Sequence, residues 1–132
     1  MAIVFDPAHK TYTLHTEHTS YQLQADRFGR LLHLYYGQRS EGCLDYLLTY
    51  ADRGFSGNPN EVGDERRYSM DALPQEFPVQ GTGDYRSPLL SVRDETGTFG
   101  CDLKLQGHTI RAGKYALEGL PAVYADTEAD GA

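Results

Sequence analysis

The stretch QEFPVQGTGDYRSPLLSV, residues 75–92, holds the spacing closest to a known chemical motif, because Gly81 and Gly83 are two residues apart. A dinucleotide-binding loop contains such a pair, but it also needs a third glycine three residues later, a preceding strand and a following helix. Here Pro78 precedes the pair and Pro88 follows it. Proline fixes φ and lacks a backbone donor, which is typical of strand edges and bends. The stretch therefore favours a structural corner over a phosphate-binding loop.

Asp84 and Arg86 supply the charges of this stretch. Residues two apart lie on the same side of an extended chain, so these two side chains can pair with each other or with loop amides. Gly81 and Gly83 permit positive φ, which a sharp bend requires. The predicted structural corner comprises Pro78, Gly81, Gly83, Asp84, Arg86 and Pro88.

The other candidate groups lack a chemical pattern. His15 and His18 are three residues apart, but no cysteine or carboxylate completes a known zinc spacing with them. The serine, cysteine and histidine positions form no nucleophile elbow and no triad signature. The sequence therefore predicts no catalytic residue, no metal site and no cofactor in this chain.

The net charge of −7 over 132 residues argues against partners with anionic surfaces. Nucleic-acid binding requires clustered lysine and arginine, and here these residues are scattered. No stretch approaches the roughly 20 apolar residues of a membrane span, and MAIVFDPAHK does not have the form of a leader. Cys43 and Cys101 stand in unrelated contexts and are interpreted as reduced structural thiols. We expect a cytoplasmic protein that binds neither nucleic acid nor membrane.

Short alternating runs dominate the chain and predict the elements that must position these groups. Strands are expected at Thr11–Leu14, Ser20–Ala25 and Leu31–Tyr36, and the alternation of Cys101, Leu103 and Leu105 predicts another. Ten tyrosines and five phenylalanines also favour half-buried sheet. The predicted fold is mostly β, with antiparallel strands in a sandwich or a barrel and little helix.

Two other segments carry weaker signals. Glu41–Tyr50 could form a turn or two of helix, or equally a strand. Residues 51–67, ADRGFSGNPNEVGDERR, are polar and too long for a tight turn, which is typical of a functional loop or of a plain surface loop. Residues 125–132 are expected to be an acidic tail, or the start of a linker or of the next strand.

Four blocks of sequence, taken in order, resemble the N-terminal domain of the α-galactosidases of glycoside hydrolase family 36. They are SYQLQADRFGRLLHLYYG at 20–37, DRGFSGNPN at 52–60, RRYSMDALPQEFPVQGTGDYRSP at 66–88, and HTIRAGKYALEGLPAVY at 108–124. The order and spacing of all four blocks make the resemblance specific, and it covers nearly the whole chain.

The resemblance implies a polypeptide of several domains, with a β-supersandwich, a (β/α)₈ barrel and a small C-terminal β-domain. Such enzymes hydrolyse terminal α-galactosides, such as melibiose and raffinose, with retention of configuration. Retention needs two carboxyl groups about 5 Å apart. In the family both are barrel aspartates, and neither surrounding motif occurs here. We therefore expect an excised fragment of an enzyme, inactive by itself. The resemblance implies that residues 1–124 form a partial N-terminal β-sandwich domain, which is part of the antiparallel β-supersandwich.

The resemblance also implies a role at the substrate rim. These enzymes resemble homo-tetramers in which loops of this domain reach the active-site mouth of a neighbouring subunit. The implied partners are the chain's own barrel domain, neighbouring subunits and α-galactoside sugars. The matching positions for the rim are Asp52, Arg53 and Phe55 of DRGFS, Arg66 of RRYS, and Tyr36, where relatives can carry tryptophan.

Alternatives stay open both for the role of the rim residues and for the function of the whole chain. Asp52 and Arg66 could pair and only fix the loop, instead of contacting sugar hydroxyls. The chain could also be a free-standing carbohydrate-binding module, or a protein-interaction β-module without a ligand.

Overall fold

The structure, a computed structural model, describes residues 2–52, 54, 67–111, 113 and 118–119. These residues form one antiparallel four-stranded sheet in which each strand pairs with the next along the chain. The prediction of a mostly β, antiparallel fold is confirmed. The described residues make a single sheet, so the second layer of a sandwich stays a prediction. The strands are β1 Ala2–Asp6, β2 Thr11–His15, β3 Thr19–Ala25 and β4 Leu31–Gln38.

Three of the four strands were predicted from alternation, and each extends one or two residues beyond its predicted bounds. The strand β1 was not predicted. Its core, Ala2–Phe5, is a continuous short apolar run, and periodicity does not assign such a run to a strand. It forms because it pairs with β2, from Ala2 opposite His15 to Asp6 opposite Thr11.

Two other segments carried predicted elements. Glu41–Tyr50 contains a single 3₁₀ turn, Asp45–Leu47, and no strand, so of the two predicted alternatives the helical turn is the one that forms. The strand expected at residues 101–105 is not formed. That segment is instead attached to the β3–β4 turn, because the Leu105 amide donates to the Gly29 carbonyl at 2.7 Å and Asp102 lies 2.8 Å from the buried Arg30 guanidinium. No helix in the described ranges is long and apolar enough to cross a bilayer.

The more deeply buried face of β2 and β3 is polar. Thr11, Thr13 and His15 of β2 and Ser20 and Gln22 of β3 are all at most 8% exposed. We call these five residues the polar face. The tyrosines and leucines that alternate with them, which alternation alone would turn inward, are only half-buried.

Hydrogen bonds make this burial tolerable, because buried polar groups are costly only when they lack partners. Gln22 donates to the Thr13 hydroxyl at 2.8 Å and to the Gly42 carbonyl at 2.9 Å, and its own carbonyl accepts from the Leu44 amide at 2.7 Å. Ser20 likewise bonds both backbone groups of Ser40. The segment 40–44 is thereby fixed over the polar face.

The hydrophobic core lies beside this network, against β4. Leu32 packs with Tyr68, Met70 and Leu73, all at most 2% exposed. The Tyr68 hydroxyl donates to Asp26, whose other oxygen accepts from two amides of the β3–β4 turn. The core segment 68–73 is thus tied to the sheet by both packing and hydrogen bonds.

The opposite face of the sheet is apolar and only partly covered. Tyr12 lies opposite Leu23 and Leu14 lies opposite Tyr21 on this side. Side chains of the segment 105–110 lie over part of it and leave a shallow open depression. We call the residues of the sheet that line this depression the apolar face: Ile3, Tyr12, Leu14, Leu23 and Leu31.

Candidate functional site

A β-bulge in β4 places the predicted rim residue Tyr36. The pairing of β3 with β4 shifts by one residue between Leu23, which lies opposite His33, and Gln22, which lies opposite Tyr35. Leu34 is the extra residue. A bulge re-aims the side chains that follow it, because strand alternation has a period of two. Tyr36 consequently lies opposite Tyr21, on the side of the sheet that carries the apolar face.

Tyr36 belongs to a group of four side chains, which we call the aromatic cluster: Tyr21, His33, Tyr36 and Glu76. The Tyr36 ring is 68% exposed and meets the Tyr21 ring edge-on, with centroids 5.9 Å apart. His33 packs on the other side of Tyr21, with centroids 5.2 Å apart. The Tyr21 hydroxyl donates to Glu76 Oε1, and Glu76 Oε2 lies 3.9 Å from His33 Nδ1.

The electrostatics of the aromatic cluster keep Tyr21 a donor. Burial, followed by the hydrogen bond to Glu76, raises the pKa of the Tyr21 phenol above its usual value. In the hydrogen bond between them Tyr21 donates and Glu76 accepts. An exposed ring beside a carboxylate and an imidazole offers one flat apolar surface and several hydrogen-bonding groups, the combination that a sugar ring needs.

The chain brings Glu76 to this place by pairing residues 74–76 with β4. His33 donates its amide to the Pro74 carbonyl at 2.7 Å, and Glu76 donates its own to the Leu31 carbonyl at 2.9 Å. Leu32 and Gln75 form an isolated bridge between these bonds. The contact covers part of the outer edge of the sheet and fixes Glu76 against the bulged strand.

Asp84 and Arg86 of the predicted corner pair with each other. The Arg86 guanidinium donates to both Asp84 oxygens, at 2.9 and 2.7 Å, and the Arg86 amide donates to Oδ1 at 3.0 Å. Burial alone raises the pKa of Asp84, but the hydrogen bonds from Arg86 outweigh it, so the pKa lies below its usual value. The ion pair in turn raises the pKa of Arg86.

The same guanidinium connects the corner to the core segment. Arg86 Nη2 donates to the carbonyls of Met70 and Leu73, at 3.0 and 2.6 Å. Gln75 joins the same network, since its side-chain amide donates to Asp84 Oδ2 at 2.7 Å. One arginine thus links the turn to two carbonyls of the segment that packs on β4.

The glycines and prolines of the corner shape its backbone. Gly81 and Gly83 have φ values of 104° and 86°. A Cβ at Gly81 would lie 2.2 Å from the Phe99 carbonyl oxygen, so no other residue fits without moving the backbone. Pro78 accepts a hydrogen bond from the Leu89 amide at 2.9 Å, immediately after Pro88.

Of the five predicted rim residues, the structure describes Tyr36 and Asp52. Asp52 accepts a hydrogen bond from the Gly54 amide at 2.8 Å and is exposed. This contact does not involve Tyr36. Arg53, Phe55 and Arg66 lie outside the described residues.

Three members of the aromatic cluster were not predicted from the sequence. Tyr21 and His33 stand in predicted strands, and alternation places Tyr21 beside Leu23, but the bulge that adds Tyr36 leaves no mark in the sequence. Glu76 is one of many acidic residues, and only its pairing with Leu31 sets it apart.

A group of potential metal ligands lies elsewhere, at the β1–β2 turn. One ligand atom each of His9, Cys43 and Asp45 lie within 4.8 Å of one another. The expectation of no metal site rested on spacing along the chain, which cannot show a group assembled from segments so far apart. Cys43 and Cys101 are both free thiols.

Comparison with known proteins places this architecture in a family. Residues 29–132 match the model of the glycosyl hydrolase family 36 N-terminal domain. The bifunctional alpha-galactosidase/sucrose kinase AgaSK of Mediterraneibacter gnavus is 57% identical over 126 residues, which are 96% of this chain. The structure of the galactosidase domain of AgaSK superposes with a TM-score of 0.87 over 95% of the chain. The crystal structure of the alpha-galactosidase AgaB of Geobacillus stearothermophilus superposes with a TM-score of 0.84 at 38% identity, over 97% of the chain.

The chain belongs to the glycosyl hydrolase family 36 N-terminal domain family. It spans only 14% of the length of AgaSK and 17% of the AgaB chain. The resemblance inferred from the four sequence blocks is therefore confirmed, and the matched relatives are α-galactosidases several times longer than this chain.

Proposed function

We propose that this chain is the non-catalytic N-terminal β-domain of an α-galactosidase. The observation that carries the proposal is its similarity, over nearly all its length, to the N-terminal sixth or so of named α-galactosidases. The two carboxyl groups of a retaining mechanism would belong to a (β/α)₈ barrel outside these residues. The parent enzyme would hydrolyse terminal α-galactosides such as melibiose and raffinose. We assign residues 1–124 to the partial N-terminal β-sandwich domain. Residues 125–132 lie outside the described residues, and we assign them to an acidic tail or to the start of a linker or of the next strand.

Assembly is the first task we assign to the domain. The apolar face supports this assignment, because a half-open sheet face of tyrosine, leucine and isoleucine is stabilised by a further layer of protein. In the parent enzyme that layer is the second sheet of the supersandwich. Contacts with the barrel and with neighbouring subunits of a homo-tetramer complete the assembly. The two free thiols are consistent with a cytoplasmic location.

The second task is a contribution to the substrate rim of a neighbouring subunit. Tyr36 supports it, because a mostly exposed ring, held edge-on by Tyr21 on a bulged strand, is available for stacking on a sugar face. Asp52 offers an exposed carboxylate for sugar hydroxyls. Arg53, Phe55 and Arg66 complete the proposed rim.

The first experiment asks whether the polypeptide that carries this domain is an α-galactosidase. Purified full-length protein is assayed for galactose release from melibiose and raffinose, and the anomer released first is identified by NMR. Release of α-galactose supports the proposal. Release of β-galactose contradicts retention, and no release from any α-galactoside contradicts the enzyme assignment.

The second experiment tests the rim with Tyr36→Ala, and uses Tyr46→Ala as the matched control because Tyr46 is equally exposed, at 73%. Loss of a stacking contact outside the reacting centre should raise KM for raffinose several-fold and leave kcat nearly unchanged. Tyr46→Ala should change neither. Equal effects of the two substitutions on KM contradict a rim role for Tyr36.

Mixed tetramers test whether the rim acts on a neighbouring subunit. Subunits carrying Tyr36→Ala are combined with subunits whose own barrel has been inactivated. If the rim acts in trans, some active barrels receive an intact Tyr36 and recover the wild-type KM. A KM that stays at the variant value indicates that Tyr36 acts within its own subunit or not at all.

The aromatic cluster also favours a second candidate function, a carbohydrate-binding module that works without a barrel. Galactose-dependent thermal stabilisation of the 132-residue chain by itself, lost in Tyr36→Ala, would support that function. Self-association of the chain without any response to galactose fits the enzyme domain, because the apolar face then pairs with another copy.

A further inference from the structure

We propose that His9, Cys43 and Asp45 form a binding site for a divalent metal ion of the zinc type. A ring nitrogen of His9, the thiol of Cys43 and a carboxylate oxygen of Asp45 all lie within 4.8 Å of one another. Imidazole, thiolate and carboxylate are the three side-chain ligands that zinc takes in proteins, and thiolate disfavours magnesium and calcium. The site would have three protein ligands and a fourth position for water.

Asp6 orients the His9 imidazole for metal binding. Asp6 Oδ2 lies 2.7 Å from Nδ1 of His9, and Asp6 Oδ1 accepts from the Ala8 amide at 2.8 Å. A carboxylate on one ring nitrogen fixes the ring orientation and the tautomer, and leaves Nε2 as the ligand. The backbone of His9 is also held, since its carbonyl accepts from Gln24 Nε2 at 3.0 Å.

Gln22 holds the other half of the site. This side chain is 1% exposed and bonds the residues on both sides of Cys43: its amide donates to the Gly42 carbonyl and its carbonyl accepts from the Leu44 amide. Asp45 begins the 3₁₀ turn, where its carbonyl accepts from the Leu48 amide at 3.0 Å. The backbones that carry all three ligands are therefore fixed by hydrogen bonds independent of any metal.

The remaining adjustment is small. Two ligand atoms on one tetrahedral zinc ion are about 3.5 Å apart. Rotation of the Cys43 and Asp45 side chains can close most of the difference from 4.8 Å while the hydrogen bond from Asp6 holds the His9 ring. Binding replaces the Cys43 thiol proton, which leaves to the solvent, by the metal ion.

The test uses Co²⁺ as a spectroscopic substitute for zinc in the full chain, after treatment with a chelator. Tetrahedral Co²⁺ with a thiolate ligand gives intense visible bands and a sulfur-to-cobalt charge-transfer band in the near ultraviolet. We expect these bands to saturate at one Co²⁺ per chain and to disappear on addition of Zn²⁺. The absence of a charge-transfer band overturns the proposal.

Matched substitutions locate the site. Cys43→Ser should abolish the charge-transfer band, and Cys101→Ser, which removes the other free thiol, should leave it unchanged. His9→Gln should weaken Co²⁺ binding at least tenfold, and His18→Gln, at an 82% exposed side chain, should not. A band that survives Cys43→Ser, or that is lost with Cys101→Ser, overturns the proposal.

Asp6→Asn tests the orienting role and guards against a misfolded variant. Asparagine keeps an oxygen for the Ala8 amide but removes the carboxylate from His9. Changes of this kind typically weaken metal binding 10- to 100-fold. The circular dichroism and melting temperature of metal-free Asp6→Asn should match those of the wild-type chain. If the Co²⁺ affinity of this folded variant is unchanged, Asp6 does not orient His9. The assignment of Nε2 as the metal ligand is then refuted as well.

Discussion

Arg86→Ala should destabilise the chain by about 2–3 kcal/mol, and the structure gives the reason. The substitution removes two hydrogen bonds to the Asp84 carboxylate, whose side chain is only 2% exposed. A hydrogen bond to a charged group contributes about 1.5–3 kcal/mol. The Arg86 side chain is 46% exposed, so solvent screening keeps the total at or below the lower end of that sum, which is about 3 kcal/mol.

The backbone carbonyls that Arg86 contacts add little to this cost. Met70 still accepts from Gln75 Nε2 at 3.2 Å, and Leu73 still accepts from the Gln75 amide at 2.9 Å. Most of the lost stability therefore comes from the buried Asp84 carboxylate. It loses the guanidinium and keeps its hydrogen bonds from Gln75 and from the backbone amide of residue 86.

Urea unfolding measures the effect. With a slope of about 2 kcal/mol/M, the midpoint should fall by about 1–1.5 M. Tyr85→Ala is the control, because this neighbouring side chain is 83% exposed and its loss should cost less than about 0.5 kcal/mol. Arg86→Lys should lie between the two, since lysine keeps the charge but not the two-pronged geometry. A midpoint for Arg86→Ala no lower than that for Tyr85→Ala would refute the reasoning.

The pH dependence follows from the lowered pKa of Asp84. The unfolded chain binds the proton at a higher pH than the folded chain, so the contribution of Asp84 is complete above pH 3.8 and is lost as the pH falls through the lower folded pKa. The stability difference between wild type and Arg86→Ala should therefore shrink below pH 3.8. A difference that is constant from pH 7 to pH 2 would assign the loss to packing.

Two further substitutions test the backbone of the corner and the buried polar network. Gly81→Ala places a Cβ 2.2 Å from a carbonyl oxygen at a residue whose φ is 104°, so it should lower the free energy of unfolding by at least about 2 kcal/mol. Gly107→Ala is the control, because its Cβ would lie in open space, and it should cost under about 0.5 kcal/mol in the same urea titration. Gln22→Leu leaves the Gly42 carbonyl and the Leu44 amide without their buried partner, and thermal unfolding should show a loss of about 2–4 kcal/mol. Its control is Gln38→Leu at the exposed end of β4, and equal losses would contradict the network.

The sequence predicted much of the sheet, because β2 and β3 alternate, β4 contains a denser apolar run, and the turns contain glycine or polar residues. It did not predict β1, because only the pairing with β2 identifies this short apolar run as a strand. It predicted a strand at residues 101–105 that does not form. Local alternation was present there, but the segment is held by Arg30 and Gly29 at a turn and is not paired along a ladder.

The candidate site was only partly accessible from the sequence. The pairing of Asp84 with Arg86 follows from two charges two residues apart, so local reasoning could propose it. The aromatic cluster depends on the bulge at Leu34 and on a contact between residues 31 and 76, neither of which is local. Alternation also could not show that the polar side of β2 and β3 is the more buried one, because hydrogen bonds to the segment 40–44 make that burial possible.

The two unequal faces of the sheet have a consequence for synthesis on the ribosome. The segment that closes the polar face, residues 40–44, directly follows β4 and emerges almost together with it. The segment over the apolar face, residues 105–110, emerges more than 60 residues later. At roughly 5–20 residues per second, that delay lasts several seconds. During those seconds the leucines and tyrosines of the apolar face stay uncovered, and exposed apolar surface of this kind makes a folding intermediate prone to aggregation.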